Sequence, residues 1–562
     1  MLRRVVSILI LSLGVLAFSF AGGQGEASGT AEGQDELTEL KVGISTEPWD
    51  LDPATATDTG SYHLLKNIYD PIIEYNEENQ LTTEGSLTKE YEWKNENKTL
   101  ILYLREGVKF HDGSDFTAAD VKYNLEWQLN EDNDAPWKGQ IGPVSDINIL
   151  DDYTLEVTFE SPTPHALAMW AGTSMFGVVP EGSHGKRTEE KGVGGKPGTD
   201  LTRAPIGTGP YKFASWRSGS RIVLEKNENY WDEDVQQADQ VIFEFIGDPS
   251  AKLSALISGS VDIIDKVPFR DYETIKNMPD IETKRMPGTA LQILYLNLSN
   301  PPIGISEDQI GDEEEIERAY HVRKFLYHAI NREAIADQLF YGMATIAKGP
   351  WYPDSEWTSP KLKKMKPYDP ELAKEHLAKA GFADGGLSFE MQATNAQWFV
   401  DMATIIQEQL RKYGVESEVV PVDKATLFDT MYESNDWDIL VEDWVFSDFS
   451  VLSYLGFNYP WNNWSPNHWH HAAPDLRDLY HESVPGHEEW VELHKQAIKE
   501  TDPEKRKEMV WELQEMVVEK VVGIDLMIVD SLFAWDQDLK GYGDGLSSIG
   551  IVNLRHINNF SE

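Results

Sequence analysis

The sequence predicts α/β domains with mixed sheets, and three observations predict them. At 562 residues the chain is too long for one ordinary hydrophobic core, so two or three domains are expected. Its 41% hydrophobic and 11% aromatic content is that of a globular protein. Helical runs repeatedly end in glycine and pass into strand-like segments, the alternation that builds sheets flanked by helices.

The elements follow in order. "ELKVGI" opens the folded part as a strand and enters the Pro- and Asp-rich loop "STEPWDLDPATATD". "TLILYLREG" is a strong strand, with Glu96, Asn97 and Lys98 in the turn before it. "TAADVKYNLEWQL" is a helix, with Thr117 as N-cap and Asp120 three residues on. "YTLEVTF" places Leu155, Val157 and Phe159 on one face, after a turn at Asp151 and Asp152. The Gly-, Lys- and Glu-rich stretch 182–200 is expected to be a solvated loop.

From Leu291 the texture is more helical. "EEEIERAYHVRKFLYHAI" is amphipathic. "DPELAKEHLAKAG" has Asp369 as cap, Pro370 at the first helical position and Gly381 as stop. "VDMATIIQEQLRKYG" ends at Gly414 and passes into "VESEVV". "DPEKRKEMVWELQEMVVEKVVG" again starts Asp-Pro and is expected to stop at its glycine.

Composition excludes several functions. With no cysteine there are no disulfides, thiolate metal sites, cysteine nucleophiles or lipid-modified N-terminal cysteine. A formal charge of −46 repels nucleic acid and anionic lipid, and its plain reading is solubility. Arg3 and Arg4, the apolar "VVSILILSLGVLAFSF" and small residues at Ser19 and Ala21 predict an export signal over 1–21, with 22–37 a flexible leader. The mature protein is therefore expected outside the cytoplasmic membrane, in the periplasm or its equivalent.

Walker, G-x-G-x-x-G, H-E-x-x-H and G-x-S-x-G motifs are absent. That argues weakly against an enzyme, since a glycosidase needs only two unmarked carboxylates. "IGTGPY" lacks the strand–loop–helix context of a phosphate cradle and is taken as a hinge-side turn. His111, within "FHDGSDFTAADV", is expected to be a hydrogen-bonded scaffold histidine. "NYW" is read as packing.

Five stretches together resemble a known family: "YEWKNENKTLILYLREGVKFHDGSDFTAADVKYNLE", "APIGTGPYKFASWRSGSRIVLEKNENYWD", "SAKLSALISGSVDII", "LYLNLSNPP" and "VRKFLYHAINREAIADQLFYGMA". In order and spacing they resemble the family 5 extracytoplasmic solute-binding proteins of ABC importers, whose members bind peptides, nickel or oligosaccharides. The resemblance implies a two-lobed periplasmic-binding-protein fold, class II-like, with mixed sheets, a hinge and an extra subdomain in the N-terminal lobe. It places lobe I at 38–70, 204–288 and 530–562, the extra subdomain at 71–203 and lobe II at 289–529. It implies a binding protein and not an enzyme, without cofactor, monomeric, closing on its ligand and docking on importer permease subunits.

The resemblance also locates the ligand between the lobes. Peptide binders of the family hold the ligand amine with an aspartate three residues after a tryptophan. Here Trp444 matches the tryptophan, Ser447 takes the acidic place, and Asp448 stands one residue later. Dipeptide-type members hold the ligand carboxylate with an arginine where Gln397 and Trp398 stand here. Both charge clamps are displaced or replaced, and an unpartnered zwitterion in a dry cleft would cost several kcal/mol.

Indoles and amides take their place. Trp49, Trp398, Trp444, Trp461, Trp464 and Trp469, with Asn395, Gln397, Asn462, Asn463 and Asn467, suit the C–H faces and hydroxyls of a short neutral oligosaccharide. An oligopeptide held by backbone bonds is the alternative ligand. A single tryptophan is more often core than platform, but "WNNWSPNHWHH" is too polar to be buried throughout. His468, His470, His471 and His481 match no tight metal motif, and no metal site is expected.

Overall fold

Two long antiparallel strands, Ile281–Leu296 and Gly523–Asp536, carry the architecture. They lie side by side in an eleven-stranded mixed sheet and belong to both of its halves. On one flank the order runs through Ile263–Ile264, Glu39–Ile44, Gln240–Phe245, Arg221–Lys226 and Tyr211–Arg217; on the other through Ile439–Val445, Ser388–Thr394 and Glu416–Val422. Ala344–Ile346 adds to Gly523–Asp536. The computed structural model describes residues 38–562 except 77–79, 134, 172–176, 185, 189–191, 195–199, 425, 428–429, 431–435, 446–450, 459–483, 547–549 and 559–562.

The paired strands change register at one place. Met286 faces Ser531, Ala290 faces Val529, and residues 287–289 bulge between them. A Cβ on Gly288 would lie 2.0 Å from the Val529 carbonyl oxygen, so only glycine fits this close approach. N-terminal to the bulge, Ile281–Met286 pairs within the first half of the sheet. Beyond it, Ala290–Leu296 pairs with Ile439–Val445 in the second.

Separate cores lie under the two halves. Leu40, Val42, Ile44, Phe243 and Ile263 pack with Leu64, Leu65 and Ile68 of helix Thr59–Ile68. The larger core gathers Leu291, Leu294, Met391, Ile439 and Ile524 under helices Glu313–Ala329, Gln397–Arg411 and Pro503–Lys520. A four-stranded antiparallel sheet (Thr88–Lys94, Thr99–Leu104, Thr154–Phe159, Val144–Asp151) has its own core around Leu100, Leu102, Phe116, Leu155 and Trp170. The whole is the two-lobed α/β fold that the resemblance implies.

Local chemistry explains the boundaries. Thr117 and Asp120 form a reciprocal capping box on helix Ala118–Leu129. Asp369 and Asp502 cap their helices through their carboxylates, each followed by proline at the first helical position. Asn95, Glu96 and Asn97 make the left-handed turn before Thr99–Leu104. Helix Pro503–Lys520 departs from expectation. Val521 takes the left-handed position (φ 52°), and Gly523 begins the next strand. That strand is pinned on both sides, which fixes the valine's backbone despite its branched side chain.

The stretch 182–200 also differs from a plain solvated loop. Its described residues include a short hairpin, Lys186–Thr188 with Gly192–Gly194. His184 is buried and lies 3.1 Å from an Asp52 carboxylate oxygen. The "IGTGPY" turn docks on the end of helix Thr59–Ile68, where Gly209 donates to the Ile68 carbonyl at 2.9 Å. It does not lie at the strand junction. His111 holds it from behind: Nε2 donates to the Gly209 carbonyl at 3.0 Å, and Nδ1 accepts from Gly207 N–H at 3.3 Å. Burial lowers its pKa to about 4, which keeps it neutral for these two roles. "NYW" serves an anchor. Tyr230 and Trp231 both donate to Asp70, which also pairs with Arg555 at 2.8 Å.

Candidate ligand-binding cleft

The strand directions locate the cleft. In the first half, Glu39–Ile44, Gln240–Phe245 and Ile263–Ile264 run parallel. Ile264 faces Ala534 on the antiparallel return strand, so these carboxyl ends point toward Ser531 and the bulge. In the second half, Ser388–Thr394 and Ile439–Val445 run parallel, and Val445 faces Ala290. Their carboxyl ends also point toward the bulge. Two sets of carboxyl ends therefore confront one another across the junction, the place where open α/β sheets bind ligands.

From the first half, the edge presents Ser45 and Asp265 with Lys266. Ser45 N–H donates to Asp265 at 2.8 Å, and Lys252 Nζ donates to Ser45 Oγ at 2.6 Å and forms a buried ion pair with Asp265. Burial alone would raise Asp265, but Lys252 and His63 outweigh it and hold the carboxyl below its ordinary value. His63 is itself driven down to about 4 by burial, so its 3.7 Å approach to Asp265 is not an ion pair at neutral pH. Lys266 is exposed.

From the second half come Thr394, Glu442, Asp443 and Trp444. Glu442 is 2% exposed, accepts from Thr394 Oγ1, and meets Lys424 Nζ at 3.2 Å. Asp443 lies under dense cover yet keeps an accessible edge. Burial, then the adjacent Glu442, pushes its carboxyl up to about 7, against the pull of Lys424 and of Lys266 from the opposite half. Gln292 stands directly opposite Asp443 in register, is 1% exposed, and among the described residues has no donor for its Oε1.

Several residues expected at the site lie at these edges. Trp49 follows the first strand and is 74% exposed. Asn395 follows strand Ser388–Thr394 and is exposed; its N–H donates to Val422 O at 2.7 Å. Gln397 begins helix Gln397–Arg411, exposed, with Nε2 donating to Asp401 at 2.8 Å. Trp398 is partly buried, stacks on Phe399 with centroids 3.5 Å apart and meets Phe340 edge-on, so it is at least half a core residue. Trp444 pairs with Leu291 and packs on the same core with one part accessible. Asp448, Trp461, Asn463, Trp464 and Trp469 lie outside the described residues, as do Asn462, Asn467, His468, His470, His471 and His481.

Lys266, Gln292, Glu442 and Asp443 escaped the sequence reading. One signal was present: "ILVEDWV" sets two consecutive carboxylates in an otherwise apolar strand. Among the described residues no group of three His, Asp or Glu is placed to hold a metal ion, and no helix is long and apolar enough to cross a membrane.

The chain is similar to known binding proteins over nearly its full length. The glutathione-binding protein GsiB of Salmonella paratyphi A is 22% identical over 508 residues, 90% of this chain and 91% of that protein. The structure of AgaA from A. tumefaciens R10, solved with agropinic acid, superposes with a TM-score of 0.72 at 23% identity, covering 93% of this chain and 98% of that one. DppA from Helicobacter pylori, solved with the peptide STSA, gives a TM-score of 0.68 at 20% identity, covering 93% and 98%. Residues 82–466 match the model of the bacterial extracellular solute-binding proteins, family 5. With that match spanning most of the chain, over a two-lobed fold with a cleft at its junction, the protein belongs to the family 5 bacterial extracellular solute-binding proteins.

Proposed function

We propose that this receptor captures a short oligomeric solute, foremost an oligopeptide, between its lobes and delivers it to ABC importer permeases as an exported monomer. The single observation that carries the reading is the confrontation of two sets of strand carboxyl ends across one junction. Among the described residues, two long strands cross it in the main sheet. Rotation about them would bring Trp49 and Lys266 toward Asn395, Asp443 and Trp444 and exclude water from the ligand. Segment 1–21 serves as the export signal in this reading.

Peptide is favoured by the buried Gln292 Oε1 at the second edge, an acceptor without a donor among the described residues, which a ligand N–H group would suit. Relatives named for glutathione and crystallised with a peptide support it. A short neutral oligosaccharide is the second reading, favoured by the accessible indoles of Trp49 and Trp444. A thermal-shift panel of di- to pentapeptides against cello-, xylo- and manno-oligosaccharides tests both. A true ligand at a hundredfold excess over its Kd stabilises by about 2.7 kcal/mol. A shift by sugars alone overturns the peptide reading, and no shift by either class overturns both.

A further inference from the structure

Beside the two long strands, a third connection joins the halves of the molecule. It is the turn between helix Arg332–Phe340 and strand Ala344–Ile346. Phe340 is buried in the large core under the second half. Three residues later, Met343 is buried in another core, with Ile264, Val267, Leu532 and Ala534 of the first half. Phe269, just past the cleft edge of the first half, meets Phe340 edge-on with centroids 5.3 Å apart. Between the two cores, Tyr341 and Gly342 are both left-handed (φ 53° and 72°). A tyrosine keeps that backbone only where its surroundings impose it. The Tyr341 side chain is 59% exposed, so the constraint comes from the backbone contacts around it.

Arg285 supplies one of them. Its Nε donates to Asp530 Oδ2 at 2.5 Å, and its Nη2 donates to the Gly342 carbonyl at 3.2 Å. The Asp530 N–H donates to the Met343 carbonyl at 3.2 Å. Met286 faces Ser531 and Ala290 faces Val529, so Asp530 is the residue of the return strand that lies opposite the bulge. Arg285 stands just before the bulge in the first half, and Gly342 follows a helix of the second. The guanidinium therefore spans the point at which the halves turn. A planar fork with two acceptors in fixed directions resists rotation of one against the other. The Asp530 carboxyl is raised by burial, and Arg285 pulls it back. Tyr352 holds the bulge itself from the second half, its hydroxyl donating to the Gly288 carbonyl at 2.9 Å.

We infer that Arg285, Asp530 and the turn Tyr341–Met343 form a clasp on the hinge that sets the angle between the halves before a ligand arrives. This rests on the cleft closing by rotation at the bulge, and it deepens that reading. The clasp favours an approached arrangement, the one in which Lys266 acts on Asp443 from the opposite half. Its residues are not those at the cleft edges. Arg285 is a positioning residue: it acts on capture through the population of competent receptor and not through ligand contact. It therefore shifts the affinity for every ligand by the same factor.

The chain has no cysteine, so Glu228→Cys in the first half and Lys412→Cys in the second, both exposed, place one spin label on each half of the full chain. The distance distribution between the labels is read without ligand, with a pool of tri- and tetrapeptides, and with a pool of neutral oligosaccharides. Arg285→Met is expected to broaden the ligand-free distribution and move it to longer distances. It should weaken whichever pool binds by about two- to fivefold, the range of one partly exposed charge pair. The ligand-bound distribution should stay where it is. Arg285→Lys keeps the charge but not the fork and is expected to restore part of the effect. Asp530→Asn should reproduce Arg285→Met, and it carries the comparison if that variant does not fold. A merely structural role lowers the melting temperature and leaves the ligand-free distances unmoved. Ligand-free distributions of the folded variants identical to that of the labelled parent overturn the clasp and leave the closing receptor standing. Unchanged distances in the parent with both pools overturn the closing receptor, while the ligand-free comparison still decides the clasp.

Discussion

At the residue scale, one buried ion pair and four neutral imidazoles set the charge balance of the interior. Lys252 and Asp265 are both nearly inaccessible, bridged by Ser45 at the mouth of the cleft. Removing one partner leaves a buried, uncompensated charge. Lys252→Met is expected to lower unfolding free energy by about 3–5 kcal/mol, while Lys252→Met with Asp265→Asn recovers much of that loss, both read in urea titrations. His63, His111, His165 and His494 are each lowered to about 4 by burial. Unfolded histidines bind protons below about pH 6.5 and these folded ones do not. Stability is therefore full above that value and falls as pH drops from about 6.5 toward 4, by several kcal/mol. Asp265, depressed by its partners, adds a further loss at still lower pH, where its folded carboxylate protonates. A denaturation midpoint that stays flat from pH 7 to 4.5 would sink this account.

At the element scale, caps and close approaches fix the boundaries. Thr117→Ala removes the hydroxyl half of a capping box and should cost about 1 kcal/mol without touching the ligand cleft. Ligand affinity measured alongside the melt separates the two effects. Gly288 is a stricter position, because an added methyl meets the Val529 carbonyl at 2.0 Å and Ser531 N at 3.2 Å. Gly288→Ala must spread the two strands that join the lobes. It is expected to cost about 1–3 kcal/mol and to change the dimensions of the ligand-free receptor in small-angle scattering. Unchanged stability would show that the bulge at 287–289 is looser than its packing implies. The same scale shows why some boundaries were legible. Asp369-Pro370 and Asp502-Pro503 announce helix starts within two residues. The end of Pro503–Lys520 at Val521 did not announce itself, because strand Gly523–Asp536 imposes it from distant pairings.

At the scale of the whole molecule, the proposed closure and the net charge each make a prediction. A saturating ligand should reduce the radius of gyration, as the halves rotate about the two crossing strands; an unchanged profile with bound ligand would contradict a closing receptor. A net charge of −46 makes the surface self-repelling, so raising salt from ~10 mM to ~0.5 M should raise the melting temperature as the screening length shortens. The sequence by itself determined the α/β class, most caps and turns, and the family resemblance, since these rest on neighbours a few residues apart. It also named Trp49, Asn395, Gln397, Trp398 and Trp444 as candidates, of which Trp444 stands near the carboxyl end of strand Ile439–Val445 and Gln397 and Trp398 open helix Gln397–Arg411. Only the tertiary structure decided that Asp443 meets Gln292, and that Lys266 acts on it from the other half. Those residues are far apart in the chain, and their charges act on one another only once sheet pairing fixes their positions.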